Sequence, residues 1–366
     1  MPTVAAFTDT YLPTVNGVSY TVRTWRRRWR RRGGRMPLVY PDGDGYRPTA
    51  GEYPVSSAPF PFYPGFRFAR PAVPPDLRRA SPDVVHAHTP FTLGLAGKRF
   101  ADSIGAPLVV SYHTPTSEYA DYISDTFAAA IGWAADRYER WYFGAADAVV
   151  VPSETACGSI ETDETPIYTV SNGVDTDRFR PADGAAIEEF RRRHDLPDGP
   201  LVGYTGRHGH EKRLGDILAA TAGLDVGVVI AGDGPERAAL ERRAAAHEDV
   251  RFLGFLDREE LPTFYSALDA FLFPSPVETQ GIVALEAIAC GTPVVAAAAG
   301  ALPETVTEGE TGTHFSPGDV DAFGDAIDRT LAEADRLPTD LSDRRRRLSV
   351  DRSIDALESV YEAVLK

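Results

Sequence analysis

The sequence predicts an α/β protein built from two doubly wound domains, each with a mostly parallel sheet covered by helices. Short β-branched runs alternate with longer helical stretches, which is the pattern of successive βαβ units. This alternation stops around residues 171–200, where turn-forming residues cluster, and then begins again. The length of 366 residues accommodates about two domains of ordinary size.

The first domain is expected over residues 1–175. Its strands are predicted, in order, at Val4–Phe7, Pro37–Tyr40, Val84–Ala87, Leu108–Tyr112 and Ala148–Val151. A helix is predicted over Val18–Arg32, because apolar residues recur there at three- or four-residue spacing. The stretch Tyr53–Pro75 is rich in proline and aromatic residues, and it is predicted to form an irregular loop or short edge strands.

The second domain is expected over residues 176–348, after a linker at Ser171–Pro200. Its strands are predicted at Leu201–Thr205, Val226–Ala231, Val250–Leu253, Ala270–Phe273 and Val294–Ala297. Helices are predicted between these strands, notably at Pro235–Ala246 and Arg258–Leu268. A last helix at Ser349–Leu365 carries an apolar stripe near the helical period, which requires a surface to pack against.

The composition excludes several classes of protein. A net charge of −15 argues against a general nucleic-acid binder. The sequence contains no run of 18 apolar residues, so no transmembrane helix is predicted. The N-terminus lacks the basic and apolar regions of a signal peptide, and two cysteines cannot form a disulfide framework or a zinc cluster. We therefore expect a cytoplasmic globular protein.

One segment differs from this acidic average. Between Arg23 and Arg35 the chain has eight arginines, two tryptophans (Trp25 and Trp29) and no acidic residue. One interpretation buries the tryptophans on the sheet and leaves the arginines solvated or paired with acids elsewhere. The other places the arginine face on anionic lipid headgroups with the aromatic residues at the interface, which predicts a peripheral protein on the inner membrane face.

The first candidate site lies at the start of the second domain. A predicted strand enters a glycine-rich loop at 203–209, and a helix follows, so that Arg207 and Lys212 lie at the mouth of the sheet. A planar arginine, a compact lysine charge and backbone donors together suit a diphosphate. Lys212 is notable because only three of the 38 basic residues are lysines. The alternative is a solvated surface pair.

A second candidate site follows the predicted strand Ala270–Phe273. The loop carries Glu278, and Gly281 then begins an apolar helix that contains Glu286. Free amides at the start of this helix favour an anion, and a glycine there allows close backbone approach. A carboxylate inside an apolar helix needs donors, which sugar hydroxyls can supply. The alternative is a structural glutamate paired with an arginine.

The first domain offers weaker signals. Gly17 lies in the loop Asp9–Val18 and allows close approach to a ligand. His113 comes just after the strand Leu108–Tyr112, and His86 and His88 come after Val84, near strand ends where a cleft is expected. A lone histidine is more often structural. The sequence has no Asp-x-Asp pair in a suitable loop, no His-Glu-x-x-His, no Gly-x-Ser-x-Gly and no complete phosphate loop.

Taken together, these motifs resemble the retaining glycosyltransferases of family GT4 over nearly the whole chain. This family has the GT-B fold, in which two Rossmann-like domains face each other across a cleft. Glu278 and Glu286, with seven residues between them, match its E-x7-E signature, and Arg207 and Lys212 match its phosphate-binding bases. Two further family landmarks match at Ala231–Pro235 and Ser171–Asp175.

The resemblance implies a donor site and a reaction centre. The implied donor-binding residues are Gly17, Arg207, Lys212, Gly281, Ile282 and Glu286. The two bases neutralise the leaving nucleoside diphosphate in place of a metal ion, the backbone at 281–282 binds phosphate, and Glu286 holds the ribose. Glu278 contacts the transferred sugar, and His113 lines the reaction centre. The implied acceptor-side residues are Asp9, Asn16 and Tyr112. The final helix, 349–366, is implied to pack back on the first domain.

Smaller matches at residues 9–18, 112–123 and 278–281 resemble the diacylglycerol glucosyltransferases and phosphatidylinositol mannosyltransferases. We therefore expect transfer of a hexose from a nucleotide-diphosphate sugar to a lipid or lipid-linked acceptor, without a cofactor, at the cytoplasmic membrane face. Three alternatives are a soluble sugar or glycan acceptor, a sugar-nucleotide epimerase and a non-catalytic sugar-nucleotide sensor. The paired glutamates and the two bases favour transfer.

Overall fold

The computed structural model describes residues 1–60, 67–113, 128–162, 164–245, 247–333 and 341–366. The chain divides into two compact units, Met1–Asn172 with Val350–Lys366, and Gly173–Ser349. The main part of the first unit therefore ends at Asn172, whereas the predicted boundary was at 175. The difference arises because the Val174 amide donates to the Leu348 carbonyl at 2.8 Å, which ties residue 174 to the end of the second unit.

The first unit is built on a parallel sheet with the strand order β3-β2-β1-β6-β7-β8-β9, beside a separate antiparallel pair, β4-β5. The strands are β1 (Val4–Phe7), β2 (Leu38–Pro41), β3 (Glu52–Val55), β4 (Ser57–Pro59), β5 (Arg67–Ala69), β6 (Val84–Ala87), β7 (Leu108–Ser111), β8 (Ala148–Val151) and β9 (Ile167–Thr169). The helices are α1 (Gly17–Arg31), α2 (Pro75–Arg79), α3 (Thr92–Ile104), α4 (Ala128–Gly144) and α5 (Glu154–Cys157). The strand order reverses between β1 and β6, where a doubly wound sheet binds ligands.

The second unit has a parallel sheet with the order β12-β11-β10-β13-β14-β15. Its strands are β10 (Leu201–Thr205), β11 (Gly227–Ala231), β12 (Val250–Gly254), β13 (Ala270–Phe273), β14 (Val294–Ala297) and β15 (Gly312–Phe315). Its helices are α6 (Gly184–Arg193), α7 (Leu214–Ala220), α8 (Arg237–Ala244), α9 (Leu261–Ser266), α10 (Ile282–Ala289), α11 (Leu302–Thr305), α12 (Val320–Glu333) and α13 (Leu341–Leu348), with a 3-10 turn at His210–Lys212. Here the order reverses between β10 and β13.

The central strands are buried along their whole length, which explains why they are continuous apolar runs rather than alternating ones. All ten strands predicted from the sequence are present, with ends that differ by at most a residue or so. The predicted strands did not include β9 and β15, which are short or partly polar. β3 lies at the edge of its sheet and overlaps the Tyr53–Pro75 stretch, where short edge strands were one of the two expectations. The Tyr53–Pro75 stretch contains part of β3 and the β4-β5 pair, and residues 61–66 lie outside the described part of the chain.

The interpretation of Ser171–Pro200 as a linker is wrong for its middle part. Residues Gly184–Arg193 form α6, and the Asp183 carboxylate caps it by accepting from the Ala186 amide at 2.8 Å. Phe190 is buried and packs edge-to-face against Phe264 of α9. The turn residues at 197–200 therefore connect α6 to β10 within the second unit.

The helix predicted over Ser349–Leu365 is α14 (Val350–Val364), and it packs against α1 of the first unit. Tyr361 lies edge-to-face on Trp29 with 5.2 Å between ring centroids. Arg32 contacts Asp351 at 3.2 Å and also pairs with Asp355. The apolar stripe seen in the sequence is the face that joins the core of the first unit.

The structure corrects the interpretation of the arginine-rich segment as a lipid-facing aromatic surface. Trp25 and Trp29 are buried in the core, so they cannot lie at a membrane interface in this fold. Arg26 is buried as well and pairs with Glu52 at 2.9 Å. The exposed arginines of the segment are Arg23, Arg30, Arg31 and Arg35. None of the helices in the described part of the chain combines the length and apolar character that a bilayer crossing requires.

Candidate active site

In the second unit, the residues predicted to bind the donor follow two adjacent strands. Arg207 and Lys212 come after β10, and Glu278 and Gly281 come after β13. The two strands pair directly, so the loops that leave them begin side by side at the carboxyl edge of the sheet. This edge, at the reversal of strand order, is where such a sheet binds ligands.

Four charged side chains lie near the Tyr204 hydroxyl at this edge. Lys212 Nζ is 2.7 Å from Glu278 Oε1, and Arg207 Nη1 is 3.6 Å from Glu211 Oε1. All four charges act on the Tyr204 hydroxyl, whose pKa is raised chiefly by burial. The structure thus brings together Arg207, Lys212 and Glu278, as the sequence analysis expects, and adds Glu211.

The loop that holds Arg207 is fixed by the family landmark at 231–235. The His208 amide donates to the Asp233 carbonyl at 2.9 Å, and His208 Nε2 lies 3.2 Å from the Ala231 carbonyl oxygen. A Cβ on Gly232 would lie only 2.0 Å from the Gly206 carbonyl oxygen. Glycine at 232 is therefore required for the close approach of the two loops.

Gly281 is the N-cap residue of α10 and has φ +81°, a backbone conformation that favours glycine. A Cβ there would also lie 2.9 Å from side-chain atoms of Leu302 and Phe273. The first turn of α10, which starts at Ile282, contains no acidic residue. Its amides therefore favour an anion at the helix start, beside Glu278 and its lysine partner.

Glu286, predicted to hold a ribose, is 2% exposed and lies among protein donors. Its Oε1 is 2.9 Å from Arg258, and its Oε2 accepts from the Tyr265 hydroxyl at 3.0 Å. Burial raises the pKa of Glu286, while the charge of Arg258 and the Tyr265 hydroxyl oppose that rise. The arrangement is the one foreseen as the alternative, a buried glutamate paired with an arginine. Contact between Glu286 and ribose stays a prediction.

In the first unit, Asp9, one of the predicted acceptor-side residues, is buried among donors of the protein itself. Asp9 is 1% exposed, and its carboxylate accepts from the Thr89 and Thr92 hydroxyls, each at 2.7 Å. It also accepts from the amides of Leu93 and Gly94 at 2.9 and 3.3 Å. Asp9 therefore caps the start of α3 and joins it to β1, and its oxygens are already committed to these donors.

Asn16 and Gly17 form the start of α1, at the edge where the strand order reverses. Asn16 Oδ1 accepts from the Ser19 amide at 2.8 Å, and its Nδ2 donates to the Thr10 hydroxyl at 2.8 Å. This is a capping box, and both Asn16 and Gly17 are exposed. Their predicted ligand contacts are compatible with that exposure and stay predictions.

Tyr112 and His113 follow β7 at the same edge. Tyr112 is buried against Phe143 of α4, with 5.8 Å between the ring centroids, and His113 is partly exposed. His113 Nε2 lies 3.3 Å from His88 Nδ1, which joins two residues that the sequence analysis considered separately. The remainder of the 112–123 match, from residue 114 onward, lies outside the described residues.

Sequence reasoning missed three features of these sites. Arg258, the partner of Glu286, lies in a loop that was predicted to be helix, and Glu211 was part of the quoted glycine-rich motif but received no role. Trp133 and Trp141 of α4 are 68% and 54% exposed, and their spacing of eight residues on one helix was the signal available in the sequence.

Both units are doubly wound α/β domains, and comparison with known proteins identifies the class as glycosyltransferases. The description "Glycosyl transferases group 1" matches residues 186–348, and "Glycosyltransferase Family 4" matches residues 15–178. A GDP-mannose-dependent alpha-mannosyltransferase of Mycolicibacterium smegmatis is 31% identical over 99% of this chain and 97% of its own length. The chain therefore belongs to glycosyltransferase family 4 and is a transferase.

Other relatives differ in their named products. An alpha-monoglucosyldiacylglycerol synthase of Streptococcus pneumoniae is 27% identical over 95% of this chain and 82% of its own length. The sulfoquinovosyl transferase SQD2 of Arabidopsis thaliana is 32% identical over 72% of this chain, which spans only 53% of that protein.

Solved structures show the same fold over almost the whole chain. Sucrose-phosphate synthase of Thermosynechococcus elongatus matches with a TM-score of 0.78 at 21% identity, covering 99% of both chains. HepE of Anabaena, solved with UDP and glucose, matches with a TM-score of 0.77 at 20% identity, covering 99% of this chain and 100% of the other. The fold is therefore GT-B, as the resemblance implied.

Proposed function

We propose that this glycosyltransferase moves a hexose from a nucleotide-diphosphate sugar to a lipid or lipid-linked acceptor, with retention of anomeric configuration, at the cytoplasmic face of a membrane. The observation that carries the proposal is the group of Arg207, Lys212 and Glu278 at the carboxyl edge of the second sheet, beside the start of α10. Two cations and free helix amides suit a diphosphate, and a carboxylate suits sugar hydroxyls.

In the proposed reaction, the bond between the anomeric carbon and the β-phosphate oxygen breaks while an acceptor hydroxyl oxygen bonds to the same carbon. The acceptor proton passes to the leaving diphosphate, which balances the exchange. Negative charge grows on the diphosphate as the bond breaks, and Arg207 and Lys212 are positioned to stabilise it. Lys212 is held by Glu278 at 2.7 Å, so its charge is already oriented before the donor arrives.

We propose that these two bases replace a divalent metal. A guanidinium and an ammonium offset developing charge without a bound ion, since each is cationic at neutral pH. The test is turnover in a chelator such as EDTA, followed by addition of Mg²⁺ or Mn²⁺. Full activity in EDTA is expected, whereas loss of activity that only a divalent ion restores would contradict the proposal.

The assay for the main proposal pairs candidate donors with candidate acceptors. UDP-glucose and GDP-mannose are offered with vesicles that contain diacylglycerol or phosphatidylinositol, and separately with soluble sugars. Sugar in the organic phase, with the donor's α configuration by NMR, is expected. Product only in the aqueous phase would favour a soluble acceptor, and conversion of the donor to its epimer without an acceptor would favour an epimerase.

A lipid acceptor requires a surface that meets the bilayer, and we propose α4 for this role. Trp133, Arg137 and Trp141 recur every four residues on one exposed face of this helix. The opposite face carries Tyr142 and Phe143, which lie against the Thr89 carbonyl and the Tyr112 ring, respectively. Tryptophan suits the lipid interface because its ring is apolar and its indole N–H is polar.

Vesicle binding tests this surface. Binding is measured as the phosphatidylglycerol content of phosphatidylcholine vesicles is raised stepwise. W133S/W141S should bind more weakly than wild type. R30Q/R31Q should lose only the dependence of binding on anionic lipid. R192Q/R193Q removes two exposed arginines from the second unit and serves as the control. Trp25 and Trp29 are buried, so a blue shift of emission on binding reports the α4 tryptophans. Equal binding by all variants would contradict the role of α4.

A further inference from the structure

Three histidine rings lie side by side at the carboxyl edge of the first sheet. The rings of His86 and His88 are 4.1 Å apart with 27° between their planes, and those of His88 and His113 are 5.6 Å apart with 19°. Trp25 lies against all three, with its ring centroid 5.9 to 6.3 Å from theirs. We call this set the histidine column.

The inner end of the histidine column is anchored on both sides. His86 Nδ1 is 2.6 Å from the Tyr361 hydroxyl of α14, and His86 Nε2 is 2.7 Å from the Ser111 hydroxyl of β7. Both ring nitrogens of His86 are therefore in hydrogen bonds, and the ring cannot turn without breaking them. The outer end is His113, whose Nε2 lies 3.3 Å from His88 Nδ1.

The environment of His88 decides which ring donates in that contact. His88 is 1% exposed, and its Nε2 has no hydrogen-bond partner among the described residues. A buried N–H without an acceptor is costlier and rarer than a buried acceptor without a donor. The favoured tautomer of His88 therefore carries its proton on Nδ1, which faces His113.

We propose that His88 is a positioning residue that donates from Nδ1 to His113 Nε2 and so holds His113 in the tautomer with its proton on Nδ1. Nε2 of His113 accepts this hydrogen bond, so it is not available as a general base for the acceptor hydroxyl. The tautomer of His113 is inferred from the geometry of the histidine column alone. Its consequence for the reaction rests on the proposed function.

The charge state agrees with this role. Burial lowers the pKa of His86 to about 3 and that of His113 to about 4, and it lowers the pKa of His88 well below its usual value. The groups that add to these effects are the other histidines of the column. All three rings are therefore uncharged at neutral pH.

The tautomers can be read directly by NMR of protein labelled with ¹⁵N-histidine, without substrate. The chain has eight histidines, which is few enough to assign by substitution. At pH 7 we expect a protonated Nδ1 for both His88 and His113. In H88F, His113 should become a mixture of tautomers, whereas H88N keeps an amide near the Nδ1 position and should retain the wild-type signal. A protonated Nε2 on His113 in the wild type would overturn the proposal.

Two further variants separate positioning from general stability. Y361F removes the anchor hydroxyl, and it should broaden or shift the His86 signals. Y40F is the matched control, because Tyr40 is also buried in the first unit and its hydroxyl has no hydrogen-bond partner in the described part of the chain. Y40F should leave every column signal in place. An equal effect of Y40F would mean that the column responds only to loss of packing.

With a donor and acceptor pair that supports turnover, H88F should lower kcat by on the order of 100-fold, with KM for the donor little changed, because a misplaced group acts on the transition state. H88N should recover most of this loss. Failure of every donor to react would reject the proposed function and leave the NMR result standing. A wild-type kcat in H88F together with the NMR result would reject the positioning role alone.

Discussion

Lys212 and Glu278 show how one residue contact prepares a site for a charged ligand. Their side chains are 2.7 Å apart and mostly buried, so the lysine charge is oriented and partly shielded from water. A diphosphate that binds beside this pair can then share the lysine charge. The same logic applies to Arg207 and Glu211 at 3.6 Å.

Replacement of Lys212 tests the most important of these charges. K212Q should lower kcat by about 100- to 1000-fold, because a preorganised donor to the developing charge is lost. K98Q is a suitable control, since Lys98 pairs with Asp102 on the surface of α3. Steady-state kinetics with the donor varied would reveal the effect. A rise in KM with unchanged kcat would instead mean that Lys212 binds the ground state and transition state equally.

Substitutions in the buried pair of Arg258 and Glu286 test whether Glu286 has a structural or a ligand-binding role. R258M leaves the Glu286 carboxylate without its partner and should lower the free energy of unfolding by about 3–5 kcal/mol. In R258M/E286Q the charge is gone, and much of this loss should be recovered. Urea unfolding of both variants provides the measurement. If E286Q alone unfolds like wild type yet raises the KM for the donor, the predicted ribose contact gains support.

At the scale of elements, α1 and α14 stabilise each other although they are far apart in sequence. α1 buries Trp25 and Trp29 on one face and Arg26 beside Glu52, and α14 covers Trp29 with Tyr361. The arginines left exposed on α1 are those that point away from this packing. An arginine-rich helix can therefore be mostly a core element.

Removal of α14 tests this dependence. A chain ending at Ser349 exposes Trp29 and loses the Tyr361 contact with His86, so it should unfold at a lower temperature, with red-shifted tryptophan emission before unfolding. Removal of one large buried aromatic side chain, which leaves a cavity, lowers the free energy of unfolding by about 3–5 kcal/mol. The milder L357A keeps the helix and should show the same direction with a smaller shift. Unchanged melting of both variants would contradict the packing.

At the scale of the whole molecule, the histidine column makes stability depend on acid. As the pH falls, a histidine whose pKa is lowered by burial takes up a proton in the unfolded state at a higher pH than in the folded state. Its contribution to the free energy of unfolding is therefore complete above about pH 6.5 and is lost as the pH falls. Each contributes a slope of about 1.4 kcal/mol per pH unit between its unfolded and folded pKa. Asp9 and Glu286, whose pKa values burial raises, act in the opposite direction.

A single substitution isolates this effect from the acids. The free energy of unfolding of H86Q should fall less steeply between pH 6.5 and 4.5 than that of wild type, because one titrating group is gone. H247Q, which replaces an exposed histidine, should keep the wild-type slope. Urea titrations at four pH values would measure the slopes. Parallel curves for H86Q and wild type would show that His86 titrates normally.

Much of the architecture could be predicted from the sequence. The central strands appear as continuous apolar runs because helices cover both faces of each sheet, and that pattern is local. Arg207, Lys212 and Glu278 could be placed at the carboxyl edge of the second sheet because each follows a predicted strand, whereas the direct pairing of those two strands is known only from the structure. The motif spacing also carried the family, which the comparisons bear out.

Only the tertiary structure decided which polar residues serve the fold. Asp9 caps a helix that starts more than 80 residues later, Arg26 pairs with Glu52, and Glu286 pairs with Arg258. The contact between His86 and Tyr361 spans 275 residues. Burial and pairing depend on neighbours that are distant along the chain, whereas periodicity and spacing report only on neighbours that are close. The sequence by itself therefore determined most strands of the two parallel sheets, the family and the charged edge of the second sheet, and the folded chain determined which charges face inward.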